Sequence, residues 1–492
     1  MRSDTSPAIR IFISLTTLLG LLGSGCSQEY TGFPRSGVPR DYKELKYPKL
    51  REIVIPEVKH VTLANGMRLF LLEDHELPLI NMSAMIRTGS VYEPADKIGL
   101  AAITGTVMRT GGTTSMTGDE IDERLEQIAA SVETGIGLNS GRASMSVLKE
   151  DVDTGLAILA DVLMNPAFAE DKIELAKIAH RSSIARRNDF PFSIAVREYT
   201  KIVYGPESVY ARHTEYATIG NITRDDLVAF HRKFFHPNNI MLAVWGDFET
   251  QPMVKKIEQA FKGWQIVDTE PAPVPQVKYE FRPTVNVIQK DDINQSCILL
   301  GHIGGMMNDP DYFALVVMNE ILGGSFTSRL FKNVRSRMGL AYSVFGFYSA
   351  DYDHLGVFYV GCQTKSKSTI QAIRAMTDEV RKITEAEVTD EELALAKESY
   401  LNSFVFNFDS KGEIVRRLMT YQYFGYPEDF LQKTKENVET VTQADVWRVA
   451  AKHLHPDKMQ ILAVGRPGDF DEPLSVLGPV QEIDVTIPSP QK

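Results

Sequence analysis

Residues 87–113 read RTGSVYEPADKIGLAAITGTVMRTGGT, and the reading of the fold turns on them. Gly99-Leu100-Ala101 leads into a helix. Residues four apart on a helix share a face. Two histidines so placed can share one Zn²⁺, and a glutamate beside the second can take a proton from the zinc-bound water. The five positions after the triplet are Ala102, Ile103, Thr104, Gly105 and Thr106. They hold no imidazole and no carboxylate.

Outward from this helix the pattern alternates strands and helices. Upstream, residues 61–63 and 67–72 flank Asn65-Gly66, a hairpin signal, and residues 79–88 read as a further strand. Downstream, residues 119–132 are amphipathic, with Ile121, Leu125, Ile128 and Ala129 at helical spacing. Residues 142–148 alternate like a strand, and residues 151–163 and 170–188 read as helices. Asn188-Asp189-Phe190-Pro191 stops the second, because the residue before proline disfavours helix. Thr223 opens another helix, followed by a strand over 240–245. Three alternate prolines in residues 270–276 (EPAPVPQ) then make a stiff, extended linker.

After the linker the pattern recurs. Thr223 and Asp226 match Thr442 and Asp445, His236-Pro237 matches His455-Pro456, and Gly246 matches Gly465, all at an offset of 219. Leu227, Phe230 and Phe235 match Val446, Val449 and Leu454 at the same offset, and Tyr204-Gly205 matches Phe424-Gly425 at 220. The body is therefore two homologous modules. Thr followed three residues later by Asp is a capping-box-like helix start, and each His-Pro reads as a helix stop. The expected class is α+β: two modules, each a largely antiparallel sheet with helices packed on one side.

Length and composition bound the function. With 492 residues and 43% hydrophobic content, the chain has room for two to four domains. A net charge of −11 without a dense Lys/Arg stripe argues against nucleic-acid binding. Three cysteines make no disulfide scaffold. Arg2 and Arg10 precede a 12-residue apolar stretch, Ile11 to Leu22, too short to span a bilayer. It ends in Leu22-Gly23-Ser24-Gly25-Cys26, which resembles a bacterial lipobox, with Gly23 where Leu is more usual. The expected organisation is a lipoprotein signal peptide (1–26) lipidated at Cys26, a tether (27–54), a first module (55–265), a Pro-rich linker (266–282), a second module (283–475) and a tail (476–492). Ser27 after the cysteine fits an outer-membrane lipoprotein facing the periplasm. Cys297 and Cys362, both in strand-like runs, read as buried thiols or as one disulfide.

Gly-Leu-Ala before the five empty positions resembles the pitrilysin/insulinase family of zinc metallopeptidases, in which the triplet runs into H-x-x-E-H. The resemblance covers residues 55–470 and implies a half-clamshell of two modules. It makes Ala102, Gly105 and Thr106 vestigial zinc-site positions. The third ligand, a glutamate, falls at Ser183, 77 residues after Thr106. A serine hydroxyl is a poor ligand beside a carboxylate. Residues 328–344, SRLFKNVRSRMGLAYSV, resemble the family segment whose arginine and tyrosine, seven apart, reach the substrate backbone. Here these are Arg335 and Tyr342, donors suited to a peptide carbonyl and to an oxyanion. Gly323-Gly324 before them is a place for close backbone approach to a substrate.

The expectation is a non-catalytic, substrate-binding subunit of a heteromeric zinc peptidase acting on unfolded peptides. Zinc would be carried by an H-x-x-E-H partner of the same family and not by this chain, so no activity is expected from this chain alone. The alternative is a structural or binding envelope protein of the same fold. A relocated metal site is disfavoured, because His231/His236 and His453/His455 lack i,i+4 spacing.

Overall fold

The computed structural model describes residues 56–268, 273–408 and 410–488. The expected signal peptide, Cys26 and the expected tether lie outside them, as does part of the Pro-rich stretch. None of the helices among the described residues is long and apolar enough to cross a membrane.

The first sheet contains β1 (Lys59–Thr62), β2 (Arg68–Glu73), β3 (Leu79–Ile86), β4 (Ser131–Ile136), β5 (Gly141–Leu148) and β6 (Ile240–Gly246). Their order is β1-β2-β6-β3-β5-β4, and only the β2–β6 pair is parallel. The Asn65-Gly66 turn closes the β1–β2 hairpin, with Gly66 at φ 82°. Its helices are α1 (Leu100–Thr110), α2 (Gly118–Gln127), α3 (Val152–Met164), α4 (Glu170–Ala185), α5 (Pro191–Tyr204), α6 (Tyr216–Gly220), α7 (Arg224–Phe234) and α8 (Thr250–Ala260).

The second half repeats this plan. It contains β7 (Thr284–Gln289), β8 (Gln295–Ile303), the two-residue β9 (Gly305–Met306), α9 (Tyr312–Asn319), β10 (Ala341–Tyr348), the two-residue β11 (Ala350–Asp351) and β12 (Val357–Lys365). There follow α10 (Thr369–Glu385), α11 (Asp390–Phe404), α12 (Lys411–Phe424), α13 (Phe430–Thr440), α14 (Gln443–His453), β13 (Gln460–Gly465) and β14 (Val480–Glu482). The second sheet has the order β10-β12-β8-β13-β7-β14. Its parallel β7–β13 pair occupies the place of β2–β6. Residues 480–482, in the stretch read as a tail, add the edge strand beside β7. The repeat holds residue by residue at α7 and α14, whose bounds differ by 219 and which both start in a complete capping box.

Helices of each module cover one face of its sheet. Ile103 and Val107 of α1, Leu159 of α3 and Leu227 of α7 pack with Leu69, Leu71 and Met82 in one core. Leu315, Ile373 and Val446 pack with Ile298, Leu300 and Val360 in the other. The opposite face of each sheet takes one helix from the other module. Val415, Met419 and Tyr423 of α12 pack on Phe70, Leu72, Met85 and Met241 of the first sheet. Ile194, Tyr199 and Val203 of α5 pack on Ile288, Leu299, Leu462 and Val464 of the second. The bounds of α5 and α12 differ by 220, so the exchange is reciprocal. Neighbouring residues on a strand face opposite ways, so both Leu69 and Phe70 are buried.

Two helix ends differ from the sequence expectation: α4 stops at Ala185 rather than Asn188, and α2 stops short by more. α2 ends at Gln127, not near Val132, which lies in β4. Ala129 turns into the left-handed region (φ 49°), and the Ala130 N–H donates to the Leu125 carbonyl (2.9 Å). This cap closes the helix early.

Candidate substrate site and the closed metal position

Helix α1 starts at a buried carboxylate. Glu93 accepts hydrogen bonds from the N–H groups of Gly99 (3.2 Å) and Ala101 (2.6 Å), satisfying donors that an α-helix leaves open at its start. Burial raises the Glu93 pKa, and those two backbone bonds oppose the rise. Gly99 stands at φ 107°, and a Cβ there would lie 2.5 Å from Ile219 Cδ1. The triplet's turn is thus held by packing on Ile219 and by the Glu93 carboxylate, with no metal ligand needed.

The zinc-site positions fit no metal. Ala102 has no donor side chain. The Thr106 hydroxyl donates back to the Ala102 carbonyl (3.0 Å), and the exposed Ser183 hydroxyl donates to that of Ala179 (3.1 Å). Gly105 is not merely vacant. A Cβ on it would stand 2.5 Å from Ile136 N and 2.8 Å from Gly135 C and Cα. Strand β4 lies directly on the helix there, and Thr134 Oγ1 donates to the Gly105 carbonyl (2.6 Å). No side chain, and so no general base, fits at position 105 while β4 keeps its place.

Other titratable clusters have structural partners. His231 Nε2 bonds the Leu163 carbonyl (2.9 Å), and burial lowers its pKa to about 4. His302 receives the His455 N–H on Nε2 (3.1 Å). Among the described residues, Asp309, Asp311 and His453 form the one group with ligand atoms close enough for a metal. Asp311 already accepts from Arg448 (2.6 Å), Lys452 (2.6 Å) and His453 (2.8 Å). Two fixed cations on the central carboxylate make it a poor cation site.

The second-module segment is different. α9 runs into a π-helical stretch, Glu320–Gly324, and a second one, Phe331–Arg337, carries Arg335. Such wide turns concentrate at functional sites. Tyr342 sits on the edge strand β10 at an irregularity in its pairing with β12, and is 82% exposed. The structure brings Arg335 and Tyr342 together: the guanidinium carbon is 5.6 Å from the Tyr342 ring centroid and 4.5 Å from that of Phe331. Among the described residues neither side chain makes a hydrogen bond or an ion pair. Both line a cavity of about 450 Å³ with Gly324, Phe326, Phe331 and Phe345. Phe326 is 79% exposed. The sequence reading quoted Phe331 within the Arg/Tyr segment without giving it a role and passed over Phe326 and Phe345, whose proximity to that segment was the available signal.

The segment is anchored from behind. Arg329 makes a two-pronged ion pair with Glu392 of α11 (2.7 and 2.9 Å). Glu392 also caps its own helix through Thr389. Burial pushes the Glu392 pKa up, but Arg329 and the cap outweigh it and hold the pKa at about 2. The glycine expectation needs correcting. A Cβ on Gly323 would meet Gly346 N at 2.2 Å, so the close approach is to the protein's own β10. Gly324 alone of the pair is exposed.

Cys297 and Cys362 are buried and free. They belong to cores on opposite faces of the second sheet, which excludes a disulfide between them. Burial pushes the Cys297 thiol up to about 12 and that of Cys362 higher still, so both are inert.

The chain matches two family descriptions: "Insulinase (Peptidase family M16)" over residues 70–201 and "Peptidase M16 inactive domain" over residues 221–400. A Bacillus subtilis protein described as the uncharacterized zinc protease YmxG is 25% identical over 361 residues, 73% of this chain and 87% of its own length. A Helicobacter pylori protein described as the non-peptidase homolog YmxG is 22% identical over 377 residues, 76% and 86% of the two lengths. The crystal structure of a peptidase M16 inactive domain from Pseudomonas fluorescens has a TM-score of 0.74 at 24% identity, covering 84% of this chain and 98% of its own. A protease structure from Helicobacter pylori has a TM-score of 0.72 at 18% identity, with 83% and 99% covered. At these identities the two structures share the fold.

Proposed function

We infer, since this chain belongs to the insulinase (M16) family of peptidases, that it is the non-catalytic, substrate-binding subunit of a two-chain zinc peptidase. Its non-catalytic character is supported by the match to an inactive domain and by the non-peptidase relative. One observation carries the finer reading: Arg335 and Tyr342 stand in an aromatic cavity with their donors unused by the fold. Donors held by a rigid frame and not engaged by it are suited to a ligand's carbonyl oxygens. Arg335, on its wide turn, and Tyr342, on the strand edge, would hold the backbone of an unfolded peptide. The H-x-x-E-H partner of the same family would hold zinc and the general base. The Helicobacter pylori relative's name also favours a second reading, a binding or structural envelope protein without proteolysis.

The test is turnover of an unstructured fluorogenic peptide by the mature chain, by its H-x-x-E-H partner, and by the two together. Chelator-sensitive turnover is expected only from the mixture. Arg335→Ala lowers that turnover by on the order of 10²-fold, the usual effect of losing one charge-stabilising donor, while the two chains still co-purify. Unchanged kinetics of the assembled variant would remove Arg335 from the site. Silence of the mixture would favour the second reading. We place the chain at the envelope through a lipid on Cys26. Incorporation of a labelled fatty acid that survives Cys26→Ser would refute that placement.

A further inference from the structure

A second cavity, of about 380 Å³, lies between the first sheet and the exchanged helix α12. Ser83 and Met85 of β3 and Arg142 of β5 form one wall, Glu413, Arg416, Arg417 and Thr420 of α12 the other, and Tyr352 closes it. Three guanidiniums therefore face one carboxylate. Glu413 is paired with Arg416, which also lies over the Trp245 ring, 5.2 Å from its centroid. Arg142 and Arg417 make no ion pair among the described residues, in a protein whose net charge is −11. Arg417 Nε is moreover buried without a hydrogen-bond partner. A charged donor left so is costly unless something else accepts from it.

The internal repeat supplies a control. The counterpart of Arg417, at the offset of 220 that relates α12 to α5, is Arg197. Its Nε donates to Glu198 (2.7 Å), Nη1 to the Arg187 carbonyl (2.9 Å) and Nη2 to Asn188 Oδ1 (2.8 Å). The same position is thus fully satisfied in one module, while in the other Arg417 reaches the Tyr421 side chain and its Nε stays without a partner. Helix exchange alone does not orphan this arginine.

We propose that the cavity formed by Arg142, Arg416 and Arg417 binds a carboxylate of a peptide, either an acidic side chain or the free C-terminus. A carboxylate offers two acceptor oxygens to the guanidinium fork, and Met85 and Tyr352 supply apolar contact for the carbons behind it. This rests on the reading that the chain holds unfolded peptides, and it adds a preference for acidic ones.

The test is binding of unstructured peptides to the full chain by fluorescence anisotropy. Matched peptides differ only by Glu→Gln substitution or by C-terminal amidation, which separates the two carboxylate sources. Binding about tenfold tighter for one acid form is expected, with the preference lost in Arg142→Gln and kept in Arg335→Ala. Arg142 is exposed, so its substitution leaves the core intact. Equal affinity for acid and neutral peptides overturns the proposal while leaving the peptide-binding reading in place. Should no peptide bind, that reading fails and calorimetry with succinate decides the cavity. Succinate binding abolished by Arg142→Gln supports a carboxylate site, and absence of binding overturns it.

Discussion

Gly105→Ala tests whether the metal position is closed or merely vacated. In an ordinary helix interior this change stabilises, by roughly 0.5–1 kcal/mol. Here the new Cβ falls 2.5 Å from Ile136 N, about 0.9 Å short of ordinary contact. The obstructing atoms are backbone. Gly135 and Ile136 are held in register with Arg142 and Gly141 of β5, so β4, the edge strand, yields only by straining that pairing. Overpacking of this kind costs about 1–3 kcal/mol. Displacing β4 also weakens the Thr134–Gly105 hydrogen bond, worth about 1 kcal/mol. The net effect is a loss of about 1–3 kcal/mol. For a module of this size that lowers Tm by about 3–10 °C. Gly220→Ala is the control, because a Cβ there meets nothing within 4 Å. It should be neutral or raise stability by about 0.4–1 kcal/mol. The assay is urea unfolding and calorimetry of the three proteins side by side. The sign decides: a Gly105→Ala protein as stable as the parent would mean that β4 does not seal the helix.

Other expectations follow from the anchors and the exchange. Glu392 has its pKa depressed to about 2, so its contribution is fully present above its unfolded pKa of about 4.3 and is lost as pH falls towards 2. Glu392→Gln should therefore cost up to about 3 kcal/mol above pH 5 and nothing near pH 2, measured by denaturant titration across that range; a pH-independent difference would contradict the ion pair with Arg329. Phe70→Ala should cost about 3–5 kcal/mol, and a double-mutant cycle with Val415→Ala should show coupling of about 0.5–3 kcal/mol, since the two side chains share one cluster. Strict additivity would mean that α12 does not pack on the first sheet.

Local periodicity carried much of the fold. The Asn65-Gly66 turn, the α7 and α14 capping boxes and the offset of 219 are short-range signals, and each has its expected place in the structure. What the sequence concealed depends on residues far apart. The exchange of α5 and α12 left only an indirect trace, the unbroken apolar runs of β2 and β6 where a half-exposed sheet would alternate. The end of α2 hid behind Ile128 and Ala129, which continue the helical pattern while Ala129 turns left-handed. At the zinc positions, the sequence told which donors were missing but not that β4 had taken their space, because Ile136 lies 31 residues beyond Gly105. The aromatic wall of the Arg/Tyr cavity likewise forms only when β10 returns beside the second π-helical turn.

The two modules have diverged in opposite directions from one plan, and the divergence is confined to particular side chains. In the first, most groups around helix α1 are taken up by the fold, although the buried Thr104 hydroxyl is left without a partner: Glu93 caps α1, Thr106 and Ser183 bond their own helices, and β4 fills the place of a side chain at Gly105. In the second, the fold secures the segment through Arg329 and Glu392 yet leaves Arg335 and Tyr342 unpaired at a cavity wall. A scaffold retained for its shape alone has no need of a rigid anchor beneath two unused donors. Arg417 resembles Arg335 in one respect: its Nε is buried without a partner while its surroundings stay well packed. On the proposal above, the first module carries a binding surface on the face of its sheet opposite α1.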